Sequence, residues 1–237
     1  MFTSTETICN HTFLPRFINS ESLVLDLGAN HGEFAHCIIE RFGCRVVSAE
    51  PVRELFDQIR PHPLLDLHAV ALGGKSKEAI INVYSERCAS IAGPTTTTEP
   101  FVARAVPMIT LAEFRRLALI EHIELLKIDI EGAEIELFNA CSDDELRDIR
   151  QITIEFHDFV YEDQRKFVLQ AKARLADIGF WVLPFSLDNT NVLFLNRSTG
   201  VSRVEIAYLR TISKYGQGIA RRVMGSARGL GLIAGRR

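Results

Sequence analysis

A glycine turn set between an apolar strand and a helix start dominates this chain: Leu23-Val-Leu-Asp-Leu-Gly-Ala-Asn-His-Gly32. Gly28 permits a sharp backbone turn, and Gly32 lets a helix N-terminus approach a ligand closely. The next apolar run, Val46-Val-Ser-Ala-Glu50, ends in an acid. A strand, a glycine turn and an acid at the end of the following strand are what an open α/β sheet needs to hold an adenosine-containing cofactor.

The rest of the chain fits such a sheet. Apolar runs at Leu23–Gly28, Arg45–Ala49, Leu65–Leu72, Ala79–Tyr84, Leu125–Ile130 and Ile152–Phe156 read as strands. Helical patterns fall at His31–Phe42, near Val52–Ile59, at Thr110–Ala118 with Thr110 as N-cap, and at Tyr161–Ile178 before Gly179. In the third of these, Leu111, Phe114 and Leu117 share one face. Continuous apolar strands between helices predict a doubly wound α/β sheet, mostly parallel. Phe180–Phe185 and Asn191–Asn196 are joined by too short a loop for a helical crossover, so they predict a closing antiparallel hairpin. Glu86–Ala105, with Pro94, four threonines and Pro100, reads as a surface loop or a lid over a site.

Three segments follow: an extension at 1–22, a domain at 23–197, and a tail at 198–237. From Val201 on, eight Lys or Arg face one acid, Glu205, so this stretch carries +7 and the remainder −10, for a total of −3. The acidic body argues against a nucleic-acid partner. The glycine-rich basic tail suits contact with an anionic membrane surface or another subunit, and Tyr208–Tyr215 within it could hold a short helix. No apolar run is long enough to span a bilayer. The N-terminus lacks a basic and then apolar leader, and the five cysteines form no CxxC pair. These features predict a cytoplasmic protein with reduced thiols, Cys37 and Cys44 among them as small buried hydrophobes.

The glycine turn also bears on which cofactor. A dinucleotide fingerprint needs a small residue at position 33, where this chain has Glu33. That carboxylate would oppose a pyrophosphate at the helix start. S-adenosylmethionine has no phosphate and carries a sulfonium cation, which Asp26 and Glu33 tolerate. Asp26, Gly28, Asn30 and Gly32 are therefore candidate cofactor residues, with Glu50 accepting hydrogen bonds from ribose hydroxyls.

A second dense motif is Glu124-Leu-Leu-Lys-Ile-Asp-Ile-Glu-Gly-Ala-Glu134. Its strand delivers Asp129 to the carboxyl edge of the sheet, where ligands bind in such folds. Glu131 and Glu134 share one face of the helix that follows, Glu134 as an ordinary first-turn acid. Lys127 is expected to pair with Glu155 on the adjacent strand. Together with Leu25-Asp-Leu-Gly-Ala-Asn-His-Gly32, Ala49-Glu-Pro51 and Ile154-Glu-Phe-His157, the string Leu126–Glu134 resembles the FkbM family of S-adenosylmethionine-dependent methyltransferases. The resemblance runs from about Leu23 to Phe159 and leaves out both ends. It implies the class I methyltransferase fold, in which a terminal antiparallel hairpin is regular. It also implies O-methylation of a hydroxyl on a sugar, glycan or natural-product intermediate, a small-molecule or saccharide acceptor.

Methyl transfer to a hydroxyl needs alignment and removal of a proton. Asp129, Glu155 and His157 stand together at the expected sheet edge. Glu155 and His157 alternate on a strand and so point to one side. His157 has the ordinary pKa of a base near neutrality, while Asp129 could orient the acceptor or the donor's amino group. A divalent metal on Asp129, Glu155 and His157 is an alternative that the spacing permits without demanding. Two other functions stay open on the residues alone: an NAD-type dehydrogenase or epimerase, and a non-catalytic binding module.

Overall fold

The computed structural model describes residues 4–85, 88–90, 101–158, 164–186 and 188–211. An N-terminal hairpin, β1 (Glu6–Ile8) and β2 (His11–Phe13), precedes the first parallel strand, β3 (Leu23–Leu27). Then come α1 (Glu33–Phe42), β4 (Arg45–Ala49), α2 (Arg53–Phe56) and β5 (Leu65–His68). The chain next leaves the main sheet through β6 (Ala71–Leu72), β7 (Lys77–Ser85), β8 (Cys88–Ser90) and β9 (Val102–Ile109). Alternation resumes with α3 (Leu111–Leu117), β10 (Leu125–Ile128), α4 (Glu134–Ala140), α5 (Asp143–Arg147), β11 (Gln151–Ile154) and α6 (Arg165–Asp177). β12 (Phe180–Pro184), β13 (Val192–Asn196) and a helix over residues 203–211, α7, follow.

The main sheet has seven strands in the order β12-β13-β11-β10-β3-β4-β5. The five from β11 to β5 run parallel, and β13 is antiparallel to both β11 and β12. The doubly wound sheet and its closing hairpin are as expected. Successive strand residues point to opposite faces, and both faces are covered. Leu25, Val47 and Leu126 pack under Phe114, Phe138 and Leu175. Val24, Val46 and Leu125 pack on the other side against Phe13, Phe34 and Ile38.

Several elements differ from their sequence reading. Leu65–Leu72 is two strands, not one: β5 stays in the main sheet, and β6 turns away to pair with β9 in a second, four-stranded sheet. The expected strand at Ala79–Tyr84 lies in that second sheet, as β7. The loop expected at Glu86–Ala105 is partly strand: Val102–Ala105 begin β9, antiparallel to β7, while 86–87 and 91–100 lie outside the described residues. Strand β9 alternates poorly in polarity, which hid it. The helix near Val52–Ile59 keeps only four residues, and that at Tyr161–Ile178 is described from Arg165 on. Cys37, expected inside, faces solvent, and Leu117 at the end of α3 is exposed as well. Cys44 is buried as expected.

Both ends of the described chain pack on the sheet. Gln151 Oε1 accepts from Leu14 N at 2.8 Å, and Gln151 Nε2 donates to Leu14 O at 3.2 Å, tying the N-terminal hairpin to β11. Val201, Ile206 and Leu209 close over Leu14, Leu183 and Leu193. The helix α7 begins at residue 203, earlier than the expected Tyr208, because Ser202 and Glu205 form a reciprocal cap; residues 212–215 lie outside the described ones. Among the described residues no helix is long and apolar enough to cross a membrane.

Candidate active site

Parallel pairing in register sets the site. Leu27 is opposite both Ala49 and Ile128, and Ile128 is opposite Ile154. The next residue on each strand is therefore Gly28, Glu50, Asp129 and Glu155, all on one carboxyl edge. Chain order reverses between β3 and β10, so this edge is the topological switch point where ligands bind in open α/β sheets.

Gly28 is required by close approach. Its φ is +82°, and a Cβ there would fall 1.8 Å from the carbonyl oxygen of Asp129. With no side chain, the turn lies flat against β10 and leaves a cleft on either side. One lobe is mostly apolar and is lined by Val52, Leu55, Val70, Leu72 and Ile130 with Glu50 at its rim. The other lobe is polar and is lined by Cys9, His11, His31, Glu33, Lys127 and Asp129. Gly28, Asn30 and Asp129 belong to both lobes. An apolar slot, a carboxylate at a strand end and a polar lobe across a glycine turn fit the adenine, ribose and amino-acid ends of S-adenosylmethionine.

Glu50 is buried, and its two oxygens accept from Asn30 N and Val52 N, each at 2.8 Å. These bonds shape the loop, and a carboxylate has further lone pairs for ribose hydroxyls. Burial pushes Glu50 up to about 7, against the pull of those two backbone bonds. Asn30 takes a positive φ of 51° to reach this position. Gly32, also left-handed, is the N-cap of α1 and lines neither lobe.

Asp26 does not reach the cleft. It is fully buried in β3, beside Lys127 in register on β10, and its carboxylate sits 3.0 Å from the Lys127 ammonium. The expected Lys127–Glu155 pair is thus replaced by Lys127–Asp26, because Lys127 turns toward β3. Lys127 also donates to the Gly28 carbonyl, fixing the glycine turn from beneath.

The edge beyond β10 and β11 gathers carboxylates around His157. Both strands stop sooner than expected, so Glu155 and His157 lie past the end of β11 and not in strand alternation. His157 Nδ1 is 2.8 Å from Glu134 Oε1, and its Nε2 is 3.3 Å from Glu131 Oε2 and 3.8 Å from Asp129 Oδ1. Burial favours neutral imidazole, yet Glu134, Glu131 and Asp129 together raise His157 to about 9. The base expected at neutral pH is therefore an imidazolium in this setting. Burial, then Asp129, pushes Glu155 up to about 7. Burial also brings Glu131 to about 7, against the pull of His157. Burial opposes the Asp129 charge too, but Lys127, His11 and His157 prevail and hold its carboxyl well below the usual range.

Three participants were not read as site residues from the sequence. Glu134 is a first-turn acid of α4 as expected, and it is also 1% exposed and bonds both His157 and Gly132 N. Its spacing from Glu131 was visible, but its partner was not. Glu131 takes a positive φ of 54°, which swings it back toward His157. His11 belongs to the N-terminal hairpin, and no local motif marks it. The expected metal set Asp129–Glu155–His157 does not converge as one group. Ligand atoms gather instead in two sets that share Asp129: His11, Asp129 and Glu155, and Asp129, Glu131 and His157.

This sheet order and switch-point cleft define the class I S-adenosylmethionine-dependent methyltransferases. The FkbM methyltransferase domain matches residues 26–184, and the chain belongs to that family. Among solved structures, the fibrillarin of Aeropyrum pernix with bound S-adenosyl-L-methionine is similar, with TM-score 0.43 and 11% identity over 76% of this chain and 67% of that one. So is the precorrin-6y C5,15-methyltransferase of Geobacter metallireducens, with TM-score 0.40 and 9% identity over 76% and 82% of the two chains. A methyltransferase of Pyrococcus furiosus gives TM-score 0.36 and 11% identity over 76% and 77%. No curated protein matches the chain. Family membership sets aside the dehydrogenase alternative.

Proposed function

We propose that this methyltransferase acts on a neutral hydroxyl of a sugar, glycan or natural-product intermediate. S-adenosylmethionine, when bound, supplies a methyl group already activated on a sulfonium. What remains for the chain is to seat the donor, align the acceptor and take its proton. The observation that carries this reading is the gathering of Asp129, Glu131 and Glu155 around His157, beside the cleft that Asp129 and Glu131 line. An anionic acceptor would be repelled there, whereas a hydroxyl can donate to a carboxylate. We assign Glu131 to receive the hydroxyl proton, because its carboxylate lies 3.3 Å from His157 Nε2. His157, held from behind by Glu134, offsets the negative charge and fixes Glu131. Asp129 and Glu155 orient the acceptor.

The test offers an isotope-labelled methyl donor with a panel of saccharides and their amino-sugar analogues. Transfer to a hydroxyl is expected, falling by ~10²- to 10⁴-fold in Glu131→Gln. The variant should still be stabilised by the demethylated donor product, by about 2.7 kcal/mol at a hundredfold excess over Kd. Transfer to the amino analogues alone, or full activity in Glu131→Gln, would sink the proposal.

A further inference from the structure

We infer that His11, Asp129 and Glu155 form a binding site for a divalent first-row metal ion, with the N-terminal hairpin supplying the imidazole. The one-atom ligands of these three residues all lie within 4.8 Å of one another. A divalent ion with ligands about 2.1 Å away holds donor atoms ~3 to 4 Å apart, so small side-chain rotations close the set. One imidazole with two carboxylates is a donor mixture that suits such ions.

His11 makes this more than an acidic cluster. It is 1% exposed, and neither ring nitrogen has a hydrogen-bond partner among the described residues. A buried imidazole without a hydrogen bond is costly unless something satisfies it. Its Nε2 lies 3.7 Å from Asp129 Oδ2, an ion-pair contact too long for a hydrogen bond and suited to an ion between them. The edge of the ring packs against Phe34, at 5.8 Å between centroids, which holds this orientation. The hairpin is itself pinned to the sheet, since Thr12 N donates to Asn191 Oδ1 and Asn191 Nδ2 donates to Thr12 Oγ1. The nearest fixed cation, Lys127, is 3.9 Å from Asp129 Oδ2 but lies closer to Asp26, at 3.0 Å, which offsets its charge. Placed beside the cleft, the ion would bind an acceptor oxygen. That role rests on the proposed hydroxyl chemistry, whereas binding of the ion does not.

The test uses Mn²⁺ and the full chain without donor or acceptor. Bound ion is read from the loss of the free Mn²⁺ electron paramagnetic resonance signal. One ion per chain is expected, with affinity reduced at least ~10-fold in His11→Gln and in Glu155→Gln. Glu155→Gln keeps size and shape, so it reports even if a change at buried His11 disturbs folding. No saturable binding, or binding unchanged by Glu155→Gln, would overturn the site. Binding lost in Glu131→Gln and His157→Gln but kept in Glu155→Gln would also overturn it, by placing the ion on the other oxygen of Asp129. Stabilisation by the demethylated donor product, measured on the same samples, reports on the methyltransferase reading separately.

Discussion

Glu50 is one buried side chain that shapes the loop of the candidate site. Burial holds its carboxyl at about 7, against 4.5 for an ordinary glutamate. The folded chain thus keeps a proton that the unfolded chain releases between those values. The stability this contributes is complete below about pH 4.5 and is lost as pH rises through about 7. The shift is worth ~3 kcal/mol. Urea unfolding from about pH 5 to 8 should therefore show the wild type losing ~3 kcal/mol relative to Glu50→Gln. Over the same window the demethylated donor product should bind the wild type more tightly, since an ionised carboxylate accepts ribose hydroxyls more strongly. Parallel stability curves for the two proteins would mean that Glu50 is ionised throughout. The position of Glu50 was legible as an acid at a strand end. Its two backbone donors, Asn30 and Val52, were not.

Elements decide which residues meet at the cleft. The parallel strands bring Gly28, Glu50, Asp129 and Glu155 to one edge because an apolar run fixes where each strand ends. A hairpin added from the N-terminus brings His11 to the same edge. Its attachment rests on Asn191 and on Gln151, which is fully buried and satisfies both backbone groups of Leu14. Gln151→Ala would leave a buried N–H and a buried C=O without partners, a cost of about 3 kcal/mol. Hydrogen exchange is the sharper measurement. Amides of β2 should lose protection while those of β3 keep theirs, and unchanged protection in β2 would show that the hairpin is held by other contacts. The short helices depend on local chemistry in a similar way. Thr110 caps α3 and Ser142 caps α5, each in a reciprocal box with the glutamate three residues on. The Thr110 cap was readable in sequence because a capping box is a local pattern. Strand β9 was not, because an edge run with mixed polarity looks like a loop until a partner pairs with it.

Across the whole molecule, the extension and the start of the basic segment belong to the packed body. Leu14 from one end and Leu209 from the other meet over β12 and β13. Leu209 is 0% exposed, so Leu209→Ala should cost about 3 kcal/mol in urea unfolding. Val204, on the same helix but 69% exposed, should tolerate alanine within ~0.5 kcal/mol. Equal effects at the two positions would mean that α7 does not pack as described. From composition alone this stretch looked like a tail, because its net charge of +7 outweighed three well-spaced apolar residues, Val201, Ile206 and Leu209.

The doubly wound sheet, its closing hairpin, the glycine turn, Glu50 and Asp129 could all be read from the chain. Each is a local pattern: an apolar run, a glycine where the backbone must turn, an acid where a strand stops. The partners of Lys127, Glu134 and His157, and the arrival of His11, could not be read in this way. They are contacts between residues far apart in the chain, and spacing says nothing about which neighbour a side chain will turn toward. The strands on either side of β10 each bring a carboxylate near Lys127, Asp26 on β3 and Glu155 just past β11. Packing, not periodicity, settles which one sits 3.0 Å away.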